Sequence, residues 1–197
     1  MNTRQQILDA TERIIQAKGI ARVTTKEIAR EAGCAEGTLY KHFEHKEDLF
    51  LSVLQRHLPT FVEAVSEDMA GKETVQRNVE HISLAAIEYY DKLVPLATAF
   101  FADTDLLARH RAMMNQMQGG PERIFERVAS YIEAEQRLGR IDTQLSSLHI
   151  ATLILGPCFQ YVFNCHFLGS NPFDVADEQF VTGLVQALMR GLELRER

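Results

Sequence analysis

The chain has 197 residues, 46% hydrophobic and 24% charged, enough apolar material for a buried core in one domain or two small ones, which excludes disorder as its main state. No Trp, 8% aromatics, 11 Gly and 5 Pro favour helices over strands and turns, so an all-α fold is expected. The net charge of −6 is unevenly spread: residues 1–60 hold 9 basic and 8 acidic residues, and the rest hold 12 and 19. A near-neutral N-terminal module on an acidic body suits a protein that touches a polyanion with one small face.

In chain order, Thr3-x-x-Gln6 has capping-box spacing and is followed by Ile7, Leu8, Ile14 and Ile15 on one helical stripe, ending near Lys18-Gly19. Thr24-Thr25-Lys26-Glu27 is a second capping box, whose helix turns Ile28, Ala29 and Ala32 inward before Gly33. Only Cys34 and Ala35 separate it from EGTLYKHF, a short helix with Leu39 and Phe43 as its buried pair. Two short helices joined by a tight glycine turn make a helix-turn-helix.

A longer apolar helix starts at Lys46, with a kink expected at Pro59. Helices near 74–93, 95–102 and 104–117 follow, with breaks expected at Pro95 and around Asp103. Gly119-Gly120-Pro121 reads as a loop, followed by a helix to Leu138 and two last helices near 143–168 and 175–194. Residues 143–173 lack any Asp, Glu, Lys or Arg, yet Gly156-Pro157 is expected to break this stretch and His149, Gln160, Asn164 and His166 interrupt it. It therefore reads as a helix buried by its own fold and a partner subunit, not as a membrane span. Phe180, Leu184, Leu188 and Leu192 form a stripe on the last helix, and Gly183, Ala187 and Gly191 allow close helix approach. A homodimer through the last two helices is the expected assembly.

On the third helix, Leu39 and Phe43 facing inward leave Gly37 and Lys41 facing outward, flanked by Thr38 and Tyr40. Such a helix fits the major groove of double-stranded DNA, and Gly37 lets the backbone approach base edges. Thr24 or Thr25 at a helix N-terminus, Tyr40, His42 and Lys46 suit phosphate contacts, while Lys41 and Lys26 can donate to guanine O6/N7. Glu36 either accepts from cytosine N4 or complements the helix dipole.

The run TTKEIAREAGCAEGTLYKHFEHKEDLF resembles the DNA-binding signature of the tetracycline-repressor (TetR) family, in the spacing of IA, the turn glycine, GTLY, the HF pair and KEDLF. The resemblance covers roughly residues 3–55. Cys34 stands where the family usually has an aliphatic residue, and Ala35 where it usually has Ser, so the third helix lacks a side-chain N-cap. The resemblance implies a helix-turn-helix domain over 1–47 and a helical effector-binding and dimerisation domain over 48–197. It implies a repressor released from a palindromic operator by a small apolar or aromatic effector; the alternative is a ligand-free architectural or protein-recruiting DNA-binding factor. The effector pocket would lie among the middle helices, where Phe61, Val65, Phe100, Phe101, Met113, Met114, Met117, Phe159 and Phe163 are candidate walls and His110 and Asn164 candidate polar anchors.

No GxSxG, HExxH, glycine-rich phosphate loop or carboxylate pair at defined spacing points to an enzyme or a cofactor. Cys34, Cys158 and Cys165 lack the spacing of a zinc site or disulfide framework, and the N-terminus lacks the apolar run of a secretory signal, so a cytoplasmic setting without bound metal is expected.

Overall fold

A computed structural model describes residues 2–19, 22–102, 104–117 and 122–192, all of them helix, turn or loop, with no strand among the described residues. Among the described residues nine α-helices follow in order: α1 (Thr3–Lys18), α2 (Thr25–Glu31), α3 (Glu36–His42), α4 (Lys46–Ala64), α5 (Val75–Ala102), α6 (Thr104–Met117), α7 (Glu122–Arg137), α8 (Ser147–Leu168) and α9 (Asp177–Leu192). A 3-10 turn at Glu67–Met69, which the sequence pattern does not anticipate, lies between α4 and α5.

The chain divides into two units, one of Met1–Leu58 with Lys92–Met117 and one of Pro59–Asp91 with Gln118–Arg197. The first changes to the second inside α4, between Leu58 and Pro59. The break around Asp103 and the Gly119-Gly120-Pro121 loop lie outside the described residues, whereas α4 is one helix, Lys46–Ala64, across position 59, where a kink is expected.

In the first unit α1, α2, α3 and the start of α4 enclose a core of Ile7, Leu8, Ile15, Val23, Ile28, Leu39, Phe43, Leu49, Phe50 and Val53. Cys34 packs against this core as a small apolar side chain, filling the aliphatic role at its position. Arg56 ties α4 to α1 through Asp9 (Nη2–Oδ1 2.6 Å) and Glu12 (3.6 Å), and the Arg4 guanidinium stacks 5.0 Å from the Phe43 ring centroid. The N-cap of α1 is Asn2, whose Oδ1 accepts from Arg4 N at 3.1 Å, and Thr3 is the first helical residue. The expected Thr3 capping box does not form, and the cap sits one residue earlier, because Asn is at least as good an N-cap acceptor.

In the second unit α8 packs on α7 and α9. Glu135 is fully buried on the apolar face of α7. Its Oε1 accepts from Tyr131 Oη (2.9 Å) and Asn78 Nδ2 (3.4 Å), and its Oε2 pairs with Arg140 Nη1 at 3.2 Å. Asn78 also donates to Met69 O at 3.0 Å, and Arg140 to Glu73 O, so one buried carboxylate joins α5, α7 and both flanking turns.

Two expected breaks are corrected. α5 runs unbroken through Pro95 and α8 through Pro157. An interior proline costs about 3 kcal/mol, and burial of neighbouring helix residues offsets it: Tyr90 and Val94 are buried before Pro95, and Ile154, Leu155, Cys158 and Tyr161 on either side of Pro157. α8 also starts at Ser147 behind a Ser146 cap, four residues later than expected. It has the length and composition of a membrane span, but Ile150, Ala151, Ile154, Leu155, Cys158, Tyr161 and Val162 are buried within the fold. Its other face is uncovered: Phe159, Phe163 and Phe167 form a stacked ladder with ring centroids 6.2 and 5.7 Å apart, 42%, 40% and 75% exposed.

Candidate nucleic-acid interface

Thr24 caps α2 as its sequence predicts. Its Oγ accepts from Glu27 N at 3.3 Å, and Glu27 Oε2 accepts from Thr24 N (3.2 Å) and Thr24 Oγ (2.8 Å). The other Glu27 oxygen accepts from Lys18 Nζ at 2.5 Å, joining the end of α1 to the start of α2. The Lys18 ammonium, then Thr24, hold the Glu27 carboxyl down at about 2, against an ordinary 4.5. A depressed carboxylate stabilises the fold fully above its unfolded value and progressively less as pH falls from 4.5 toward 2. Glu27→Gln is therefore expected to lose less stability than the native chain between pH 5 and 2, read as parallel acid melts; identical acid slopes would contradict the pairing.

After α2 the chain turns at Gly33, whose φ of 68° lies in the left-handed region that glycine enters without strain, and Cys34 N donates to Ala29 O at 2.9 Å. α3 then begins behind Ala35, which makes no side-chain cap bond. Ala35→Ser should supply the missing acceptor and raise stability by about 0.5–2 kcal/mol. A thermal melt with an unchanged midpoint would show that other groups already satisfy this helix end.

The buried and exposed faces of α3 fall where the helical period puts them. Leu39 and Phe43 are buried, Thr38 is half-buried, and Glu36, Gly37, Tyr40, Lys41 and His42 are exposed. A Cβ placed on Gly37 meets nothing within 4 Å, so the fold does not require glycine there. Lys26 is exposed on α2, and Lys46 at the start of α4 holds its Nζ 5.2 Å from the Phe50 ring centroid. Thr24 caps α2, and Thr25, Lys26, Glu36, Gly37, Thr38, Tyr40, Lys41, His42 and Lys46 lie on α2, α3 or the first turn of α4, all within one unit.

Two contacts on this surface have no signature in residue spacing. Thr25 Oγ donates to Glu36 Oε1 at 2.6 Å, and Tyr40 Oη donates to Thr25 Oγ at 3.4 Å. Glu36 is therefore more than a complement to the helix dipole, since it cross-links α2 and α3.

The expected effector residues are divided between the units. Phe61 and Val65 are buried in the second unit, with the Phe61 ring 5.8 Å from that of Tyr89. Phe159 and Phe163 lie on the exposed side of α8 and Asn164 is half-buried beside them. Phe159 also meets Tyr90 edge-on at 5.3 Å, and burial pushes the Tyr90 hydroxyl above its ordinary range. His110 and Met114 are half-buried in the first unit, where burial lowers the imidazole pKa. The side chains of Phe100, Phe101, Met113 and Met117 lie outside the described residues. Within the second unit an open cleft of about 430 Å³ is lined by Leu84, Ile87, Asp91, Tyr161, Cys165 and Asp177 among others, and none of the expected effector residues faces it. Among the described residues no group of three His, Cys, Asp or Glu side chains is placed to hold a metal.

Residues 7–53 match the family profile described as bacterial regulatory proteins, tetR family. The chain is 34% identical over 86 residues to the fatty acid metabolism regulator protein of Bacillus subtilis, a match covering 41% of this chain and 44% of that protein. It thus spans less than half the length of that relative. In fold it is similar over nearly its whole length to a putative TetR-family transcriptional regulator from Mesorhizobium loti, with a TM-score of 0.78, 20% identity, and 98% and 97% of the two chains covered. It is also similar to a transcriptional regulator FadR from Bacillus subtilis in complex with stearoyl-CoA, with a TM-score of 0.68, 19% identity, and 96% and 99% covered. The profile match falls on α1 to α4, where the capped α2, the glycine turn and the outward face of α3 stand, and over these residues the chain is similar to the tetR family of bacterial regulatory proteins.

Proposed function

We propose that the protein is a cytoplasmic, ligand-released repressor that binds a near-palindromic duplex as a homodimer through α8 and α9, with one α3 in the major groove of each half-site. The observation that carries this reading is the outward face of α3, where Gly37 and Lys41 stand exposed opposite a buried Leu39 and Phe43. One seven-residue helix buries too little surface to read a site alone, so two copies are needed. The uncovered aromatic ladder of α8, with exposed Gly183 and Ala187 on α9, supplies an apolar surface that a second copy can cover.

Release by a small apolar or aromatic effector draws support from the buried Phe61 and Val65 of the middle helices and from the stearoyl-CoA complex of the similar FadR. In this reading the ligand shifts α4, whose course passes from one unit to the other beside Pro59, and so changes the spacing of the paired α3 helices. Selecting bound duplexes from random sequence tests the proposal. An inverted repeat with half-site centres one helical turn apart, about 34–36 Å, is expected; recovered DNA without sequence preference would favour an architectural factor.

On the recovered site Lys41→Ala should cost about 1–3 kcal/mol and relax preference at one base pair. Lys46→Ala should weaken binding to all sequences alike and flatten the salt slope by about one. Equal weakening of every sequence by both changes would refute the separation into base and phosphate contacts.

A further inference from the structure

We propose that Glu36 determines specificity by coupling base reading to phosphate contact: its carboxylate keeps the Thr25 and Tyr40 hydroxyl protons from the DNA backbone until an exocyclic amine in the major groove takes their place. The inference rests on the DNA-reading function proposed above. Thr25 has one hydroxyl proton, and it points to Glu36 Oε1 at 2.6 Å. Tyr40 has one, and it points to Thr25 Oγ at 3.4 Å. A phosphate oxygen only accepts hydrogen bonds, so in this arrangement both hydroxyls offer it lone pairs. The exposed carboxylate adds like charge beside them.

The arrangement opens without any proton changing owner. An amine N–H of cytosine N4 or adenine N6 donates to Glu36, the Thr25 hydroxyl rotates about its C–O bond toward a phosphate, and Tyr40 follows. Guanine and thymine present O6, N7 or O4 acceptors in the groove, which repel the carboxylate and leave Thr25 bound to it. A wrong base thus forfeits the base contact and both phosphate contacts together, a greater discrimination than one hydrogen bond gives.

Binding of Glu36→Ala, Thr25→Val, the double variant and Glu36→Gln to the recovered duplex, and to a duplex changed at the amine-bearing position, tests the coupling by fluorescence anisotropy at fixed salt. Each variant is first matched to the native chain by melting temperature. Glu36→Ala is expected to bind the changed duplex more tightly and to lose discrimination by about tenfold. In the Thr25→Val background that gain should shrink by about threefold or more, since Glu36 then has no hydroxyl to withhold. Glu36→Gln keeps an acceptor for Thr25 and should keep most of the discrimination. The base recovered at the sensitive position, cytosine or adenine, identifies which amine is read. Additive effects of Glu36→Ala and Thr25→Val, with Glu36→Gln behaving like Glu36→Ala, would reduce Glu36 to simple charge repulsion and overturn the coupling while leaving DNA reading intact. Guanine or thymine at the sensitive position would overturn it as well. Failure of the native chain to prefer any sequence would overturn the DNA-reading function and this inference with it.

Discussion

Glu135→Ala is expected to lower the stability of the second unit by about 3–5 kcal/mol, the cost of breaking a buried ion pair from one side. The carboxylate has no access to solvent, and its loss strands the Tyr131 hydroxyl, takes one of the two acceptors of the Asn78 amide and breaks the ion pair of Arg140. Each stranded buried group carries its own desolvation penalty. Glu135→Gln keeps the shape and an acceptor oxygen and gives up only the charge, so it should cost less than half as much. Urea unfolding followed by circular dichroism separates the two variants. A loss below about 1 kcal/mol in both would mean that the network is replaceable by packing alone. Total stabilities of about 5–15 kcal/mol make the larger loss severe.

Gly37→Ala should move stability and DNA affinity in opposite directions. A Cβ at this position meets nothing, and alanine is the better helix former, so the melt should rise by the equivalent of about 0.5–1 kcal/mol. The same methyl group would stand between the α3 backbone and a base edge, and affinity for the recovered site should fall about tenfold, the size of one lost base contact. A glycine retained only as a tolerated helix defect would give the first effect without the second. Unchanged affinity in the stabilised variant would place the DNA on another face.

Much of the interface was legible because local rules produce it. Leu39 and Phe43 lie four apart in the buried pair that the helical period requires, and the Thr24 and Glu27 box forms as its spacing predicts. The cap of α1 falls one residue before the one its spacing predicts, because Asn2 and Thr3 are both good caps and local spacing does not choose between them. At Pro95 and Pro157 the breaks that local rules predict do not form, because the burial that offsets a proline comes from residues distant in sequence.

The Glu135 network joins residues 57 apart, beyond the reach of any local pattern, although a carboxylate on a stripe with Ile124, Val128, Tyr131 and Ile132 was a visible anomaly. The Thr25 to Glu36 bond escaped for a similar reason, since its geometry depends on the angle between two helices. The aromatic ladder of α8 appeared in the sequence only as single apolar residues, and its exposure follows from how α7 and α9 cover the opposite face.

The central claim is that the outward face of α3 reads base edges in the major groove. Replacing guanines of the recovered site one at a time with 7-deazaguanine removes the N7 acceptor and leaves pairing and the minor groove unaltered. At one guanine in each half-site this change should weaken binding by the native chain by about 1 kcal/mol or more, and have no further effect on Lys41→Ala. Binding indifferent to every 7-deazaguanine, but weakened when inosine removes the minor-groove amine of guanine, would contradict the account.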